Sequence, residues 1–155
     1  MPLPSHRAAK AAVIGGALIG FMILCTSVLR TGLILTSWVS SISLLLYAPM
    51  THTTRPRVIV GCHMMTAVVG VVGVWVTAGA SWGIGATVAV ALLLAFWAEI
   101  MHPPAIANAA IAFVYPTSKV LFLASALCGA LALAAATHAI SFALEERPPA
   151  KQKGR

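Results

Sequence analysis

Apolar residues run almost unbroken from Ala11 to Leu29, Val58 to Ala78, Gly83 to Met101 and Val120 to Phe142. Each stretch is close to the roughly 20 residues with which a helix crosses a bilayer, so four long spans are predicted. Between them lie two shorter pieces. Thr31 to Ala48 groups Thr36, Ser37, Ser40, Ser41 and Ser43 in its middle, and Pro104 to Tyr115 as a helix rises only about 18 Å against a hydrocarbon core of about 30 Å. The second piece is then either re-entrant or half of a broken crossing. The predicted fold is all-α, a polytopic transmembrane helix bundle of four long spans plus two shorter or broken helical segments. Long span, shorter piece, basic loop and long span occur twice in that order, a layout that suggests an internal repeat.

Within the spans, polar and small residues mark the inward faces. His63, Thr66, Gly70, Gly73 and Thr77 recur at the three-and-four spacing of one helical face, which should point into the bundle and place His63 about one turn inside the membrane. Gly16 and Gly20, four apart in the first span, are expected to admit a neighbouring helix closely, and Ser125 with Gly129 forms a similar pair in the last. The hydroxyls of the second segment either bond back to their own helix or face a polar cavity. Trp82 and Trp97 bracket the fourth span as interfacial rings often do.

The sharpest break in the pattern is Glu99-Ile100-Met101-His102-Pro103-Pro104-Ala105-Ile106-Ala107-Asn108. A residue before proline is pushed out of the α region, so the helix arriving from Gly83 should stop near Met101 and leave His102 extended. Proline loses no hydrogen bond at a first helical position, so a new helix should begin at Pro103 or Pro104. Free amides on Ala105 and Ile106 would then lie beside an imidazole, and in hydrocarbon such amides need a partner.

His102-Pro103-Pro104-Ala105 between apolar segments resembles the signature of the HPP family of small integral membrane proteins. Pro56-Arg57-Val58-Ile59-Val60-Gly61-Cys62-His63 is similar to that family's Pro-Arg-x-x-x-Gly-Gly-His segment, with Cys62 in place of a glycine. Ser40-Ser41-Ile42-Ser43-Leu44-Leu45-Leu46-Tyr47 stands where the family tends to have Gly-Ala-Ser-Ala before apolar residues and Phe. The three blocks keep the family's order, and the resemblance covers about Gly32 to Phe142. Ile106 and Asn108 depart from the glycine and threonine expected after the motif, and Ile42 from a small hydroxyl residue. The resemblance implies four crossings and, because relatives include proteins implicated in nitrite movement, a small inorganic anion as substrate.

Composition places the chain in a bilayer: 60% of residues are hydrophobic and 8% charged, against about 25% charged in soluble domains. The net charge of +7 could suggest nucleic acid, but the basic residues sit at the ends of apolar runs and act as topology signals. If both short pieces are re-entrant, basic residues divide six against four across the membrane; if both cross, they divide eight against two, which the positive-inside rule prefers. The second arrangement makes two three-crossing halves of opposite orientation, as in many transporters. Both leave the termini in the cytoplasm, with residues 1–10 and 144–155 as tails about a membrane domain of residues 11–143 in the cell (inner) membrane. Ala11 to Leu29 is too long for the apolar part of a secretion signal, and Leu24 before Cys25 does not suit lipoprotein processing. Cys25, Cys62 and Cys128 lie singly in apolar segments, without the spacing of disulfides or zinc ligands.

No enzyme chemistry is expected. Glu99 and His102 have the Glu-x-x-His spacing of di-iron sites, but such sites use two of these motifs and Pro103 breaks the helix here, so no metal and no cofactor is expected. No Gly-x-Ser-x-Gly elbow accompanies the serines. Ionisable groups inside spans usually line pathways, and amides at a helix start attract anions. The expected function is therefore that of a transporter or channel. The amides that follow the Pro103-Pro104 break, from Ala105 on, would hold an anion together with Asn108, Ser41 would contribute a hydroxyl, His102 and His63 would share a proton, and Arg55 and Arg57 would concentrate anions at one mouth. Glu99 would repel an anion unless protonated or paired, and fits proton coupling, a cationic substrate or a structural ion pair equally. The alternative is a non-transporting structural or sensory membrane protein in which the break serves packing. The expected partners are the lipid bilayer, a small ion and, with small-residue faces left over, further copies of the chain.

Overall fold

A computed structural model describes residues 5–29, 35–48, 51–114 and 118–144. Six α-helices and one short turn of 3-10 helix make up the described chain, with no strand among these residues. They are α1 (Ser5–Leu29), α2 (Leu35–Tyr47), the turn His52–Thr54, α3 (Pro56–Val76), α4 (Trp82–Trp97), α5 (Pro103–Val114) and α6 (Lys119–Leu144). The all-α bundle matches expectation, with one correction to the span lengths. Among the described residues only α3 and α6 are long and apolar enough to cross a membrane, not four helices. α1 starts at Ser5, so the alanine-rich segment expected as a tail is helical. Arg30, Thr31, Tyr115 and the tail from residue 145 lie outside the described residues.

The main shortening is in α4, and its cause is local. The helix ends at Trp97 rather than near Met101, because Glu99 turns left-handed with φ 55°. Its N–H bonds Phe96 O at 3.1 Å while that of Ile100 bonds Ala95 O at 3.1 Å, the paired reverse bonds of a Schellman closure. α3 ends the same way, with Ala78 at φ 52°, Ala78 N–H on Trp75 O and Gly79 N–H on Val74 O. Residues 100–102 therefore run irregularly across α3, where Ile100 packs on Gly61.

Packing follows close-approach glycines. Gly70 of α3 seats α5: a Cβ there would lie 2.8 Å from that of Ala112 and 3.0 Å from the Ala109 backbone. Gly129 of α6 likewise seats Trp38 of α2. In α1 the seat is Gly15, whose added Cβ would meet Leu46 Cδ1 at 2.6 Å. The expected pair Gly16 and Gly20 instead faces open space, because one helical position, about 100°, separates it from the buried stripe. The α3 face splits along its length. His63, Thr66 and Gly70 turn to α5, whereas Gly73 meets Thr87 of α4 and Thr77 meets Gly83.

The major packings repeat. α1 lies on α2 and α6 as α4 lies on α5 and α3, while α2 meets α5 and α3 meets α6. Exchanging the two three-helix halves maps these contacts onto themselves. Outward faces are strongly apolar: Trp82 and Trp97, at opposite ends of α4, are 72% and 86% exposed, the distribution expected of a belt against lipid headgroups.

Candidate functional site

Four of the singled-out residues come from distant parts of the chain and meet in the interior. His63 lies near the start of α3, His102 just before α5, Ser41 in the middle of α2 and Asn108 on α5, each with no exposed surface. The imidazole centroids are 5.4 Å apart with the planes tilted by 46°. Ser41 Oγ stands between them, 3.2 Å from His63 Nε2 and 2.9 Å from His102 Nε2.

Each position has a local cause. Pro56 occupies the first turn of α3, where its missing N–H costs nothing, and fixes the start from which His63 follows two turns on. His102 is held in non-helical backbone by Pro103 and sealed to α3 through its carbonyl, which accepts the Cys62 thiol at 3.6 Å and the Ala105 N–H at 2.9 Å. Thr66 Oγ1 donates to Ala105 O at 2.7 Å, and Ser37 Oγ to Pro104 O at 2.8 Å, so α3 and α2 each clamp the first turn of α5.

Partner chemistry fixes the protons. Thr53 O can only accept, so His102 Nδ1 at 2.7 Å donates to it and, in the neutral ring, Nε2 accepts. Asn108 Nδ2 is 3.1 Å from His63 Nδ1 and 3.3 Å from His63 O, so the amide group donates to both and His63 carries its proton on Nε2. His63 Nε2–H then donates to Ser41 Oγ. The serine hydrogen is shared between His102 Nε2 and Ser37 O, 2.8 Å away. Asn108, His63, Ser41, His102 and Thr53 thus form one directional chain of hydrogen bonds across α5, α3, α2 and the turn. Only Asn108 Oδ1 in this chain lacks a partner.

Other expected site residues lie elsewhere. Glu99, Arg55 and Arg57 are exposed; Glu99 is turned out by the Schellman closure, and the arginines flank the first residues of α3. Pro103 is exposed and Pro104 half-buried. Ala105 is buried, but its amide is not free, because the break closes on itself through the His102 carbonyl. Thr53, Ser37, Thr66 and Cys62 were not expected at the site. Ser37 and Thr66 stand four before Ser41 and three after His63 and could have been added by helical spacing, whereas a backbone carbonyl such as that of Thr53 has no sequence signature. Among the described residues no group of three or more His, Cys, Asp or Glu could hold a metal ion.

A groove of about 610 Å³ lies between α2 and the start of α5, lined by Thr36, Ser37, Ser40, Ser43, Pro103 and Pro104. Ser37 is shared between groove and cluster, and its bond to Pro104 O closes the gap.

Exposed apolar helix faces around a buried imidazole cluster at a helix break define a helical integral membrane protein with an intramembrane polar site. The family model for the HPP transmembrane region matches residues 2–149. The chain belongs to the HPP family. No curated protein and no solved structure matches it.

Proposed function

We propose that this protein is a membrane transporter or channel for a small solute, most specifically a small inorganic anion such as nitrite carried in one of its protonation states, and that the His63–Ser41–His102–Asn108 cluster is the constriction it passes. The observation that carries the reading is Asn108 Oδ1, a fully buried acceptor with no partner in an otherwise satisfied chain of hydrogen bonds. Leaving such an atom unpaired costs about 1–3 kcal/mol, which a purely structural cluster has no cause to bear. The groove at Ser37 and Pro104 supplies an approach from the α2 side, and the exposed Arg55 and Arg57 lie two and four residues past Thr53, at the other end of the chain of bonds. The exchange of the two halves fits an inverted repeat with its site at a broken helix. On that arrangement both termini are cytoplasmic, the membrane is the inner membrane, and copies of the chain associate through small-residue faces.

One observation favours a second reading, in which the break only packs helices. Both imidazoles are fully buried, and His102 is capped by a backbone carbonyl. Nitrite flux into liposomes containing the purified chain separates the two, with His102→Ala as control. Passage predicts protein-dependent flux that the substitution abolishes; a structural cluster predicts none at any pH.

A further inference from the structure

We infer that the cluster selects a small uncharged solute that donates a hydrogen bond, so that an ionisable cargo such as nitrite crosses as its protonated acid. This rests on the cluster being the passage and specifies what that passage accepts.

Every side-chain donor of the cluster is already engaged, as is the Ala105 amide. Asn108 spends its two N–H groups on His63 Nδ1 and His63 O, His63 Nε2–H meets Ser41, Ser41 O–H is shared by His102 and Ser37 O, His102 Nδ1–H meets Thr53 O, and Ala105 N–H meets His102 O. The unmet need is that of an acceptor, Asn108 Oδ1. A bare anion brings only lone pairs and would face that oxygen with no side-chain donor in return.

Charge excludes the ionic forms in both directions. The groups facing the imidazole pair are Ser41 and Ser37 from α2, the Thr53 carbonyl from the turn, Cys62 and Thr66 from α3, and Ala105 and Asn108 from α5. None carries a fixed charge. Arg55 and Arg57 are exposed, and Lys119 Nζ is engaged with Ala112 O at 2.6 Å, at the far end of α5. Among the described residues no carboxylate compensates a cation either, since Glu99 is exposed. An ion entering this buried site would lose its hydration with no fixed counter-charge beside it. Trp38 Nε1 is a second unpartnered buried atom, but it packs over Gly129 of α6 and no hydrogen bond joins it to the cluster. A small acid, which both donates and accepts, satisfies Asn108 Oδ1 as an anion cannot.

The test uses the full chain in liposomes loaded with a pH-sensitive dye, against protein-free vesicles. Sodium nitrite, sodium formate and ammonium chloride are added in turn at a series of pH values, and uptake of chloride and nitrate is followed under an imposed potassium diffusion potential. The expected result is protein-dependent internal acidification by nitrite and formate and alkalinisation by ammonium. Rates should follow the concentration of the neutral form, tenfold per pH unit, and ignore the potential, with no uptake of chloride or nitrate. Asn108→Leu should lower the protein-dependent rates at least tenfold. Potential-driven uptake of nitrite, nitrate or chloride, or neutral-form flux unchanged in Asn108→Leu, overturns the inference and leaves the passage standing. Absence of protein-dependent flux for the whole panel removes the passage and the inference together.

Discussion

Replacing Ser41 by alanine removes one oxygen that serves both imidazoles at once. His63 Nε2–H loses its acceptor and His102 Nε2 its donor, and the rings, 5.4 Å apart at their centroids, cannot substitute for each other without leaving Asn108 and Thr53 O. A buried polar group stripped of its partner costs about 1–3 kcal/mol. For a chain of this size each kcal/mol lowers the midpoint by roughly 2–4 °C, so Ser41→Ala should unfold about 2–12 °C below the parent in detergent. A thiol-reactive dye reports the transition, since Cys62 is buried behind the cluster while Cys128 is exposed and gives the baseline. The same helix supplies the control: Ser40 is exposed and bonds only its own turn, through Thr36 O at 3.0 Å, so Ser40→Ala should stay within about 0.5 kcal/mol. Equal midpoints for the two variants would refute the bonded His63–Ser41–His102 unit.

Gly70→Val should be among the most damaging single changes, because the first atom added already collides with Ala109 and Ala112; overpacking of about 1–3 kcal/mol is expected as a fall in midpoint and in folded yield. Gly129→Ala should behave alike through Trp38, whereas Gly16→Ala and Gly20→Ala in α1 should be neutral or slightly stabilising. Cys62→Ala removes the thiol from the His102 carbonyl, which keeps the Ala105 N–H, so about 1 kcal/mol or less should be lost, read from the tryptophan-monitored melt. Glu99→Gln, Arg55→Gln and Arg57→Gln should leave the melt unchanged within about 0.5 kcal/mol, since all three side chains are exposed.

What the sequence disclosed follows the range of each physical signal. Helix-breaking by Pro103 and the three-and-four spacing of His63, Thr66 and Gly70 are local, and both appear in the structure as expected. The pairing of His102 with His63 was legible only through the family motifs, since 39 positions separate them. Termination of α4 was misplaced by several residues because a left-handed Glu99 is uncommon; glycine would have announced the Schellman turn, and glutamate does not. That turn alone carries Glu99 out of the site. The free amide expected at Ala105 failed for a similar reason: a chain that reverses tightly at a double proline satisfies its own Ala105 N–H through the His102 carbonyl. In α1 the expected pair was Gly16 and Gly20, and Gly15 could not be preferred to it without knowing which face meets α2.

The repeated packing of the two halves sharpens what is not repeated. In α3 the inward positions read His63, Thr66, Gly70, and in α6 the same spacing reads Phe122, Ser125, Gly129, all six buried. The glycines do the same work in both, each admitting the short helix of the other set, α5 on Gly70 and α2 on Gly129. The hydroxyls are likewise matched. Only the first position differs, an imidazole in one half and a phenyl ring in the other. A scaffold with two equivalent cradles therefore carries chemistry in one of them, and the polar cluster sits to one side of the exchange axis instead of on it. His102 from the second half and Ser41 from the first both reach toward the α3 cradle. Phe122 fills the other with apolar bulk, so among the described residues the buried imidazole cluster belongs to one cradle and its counterpart is closed by a phenyl ring.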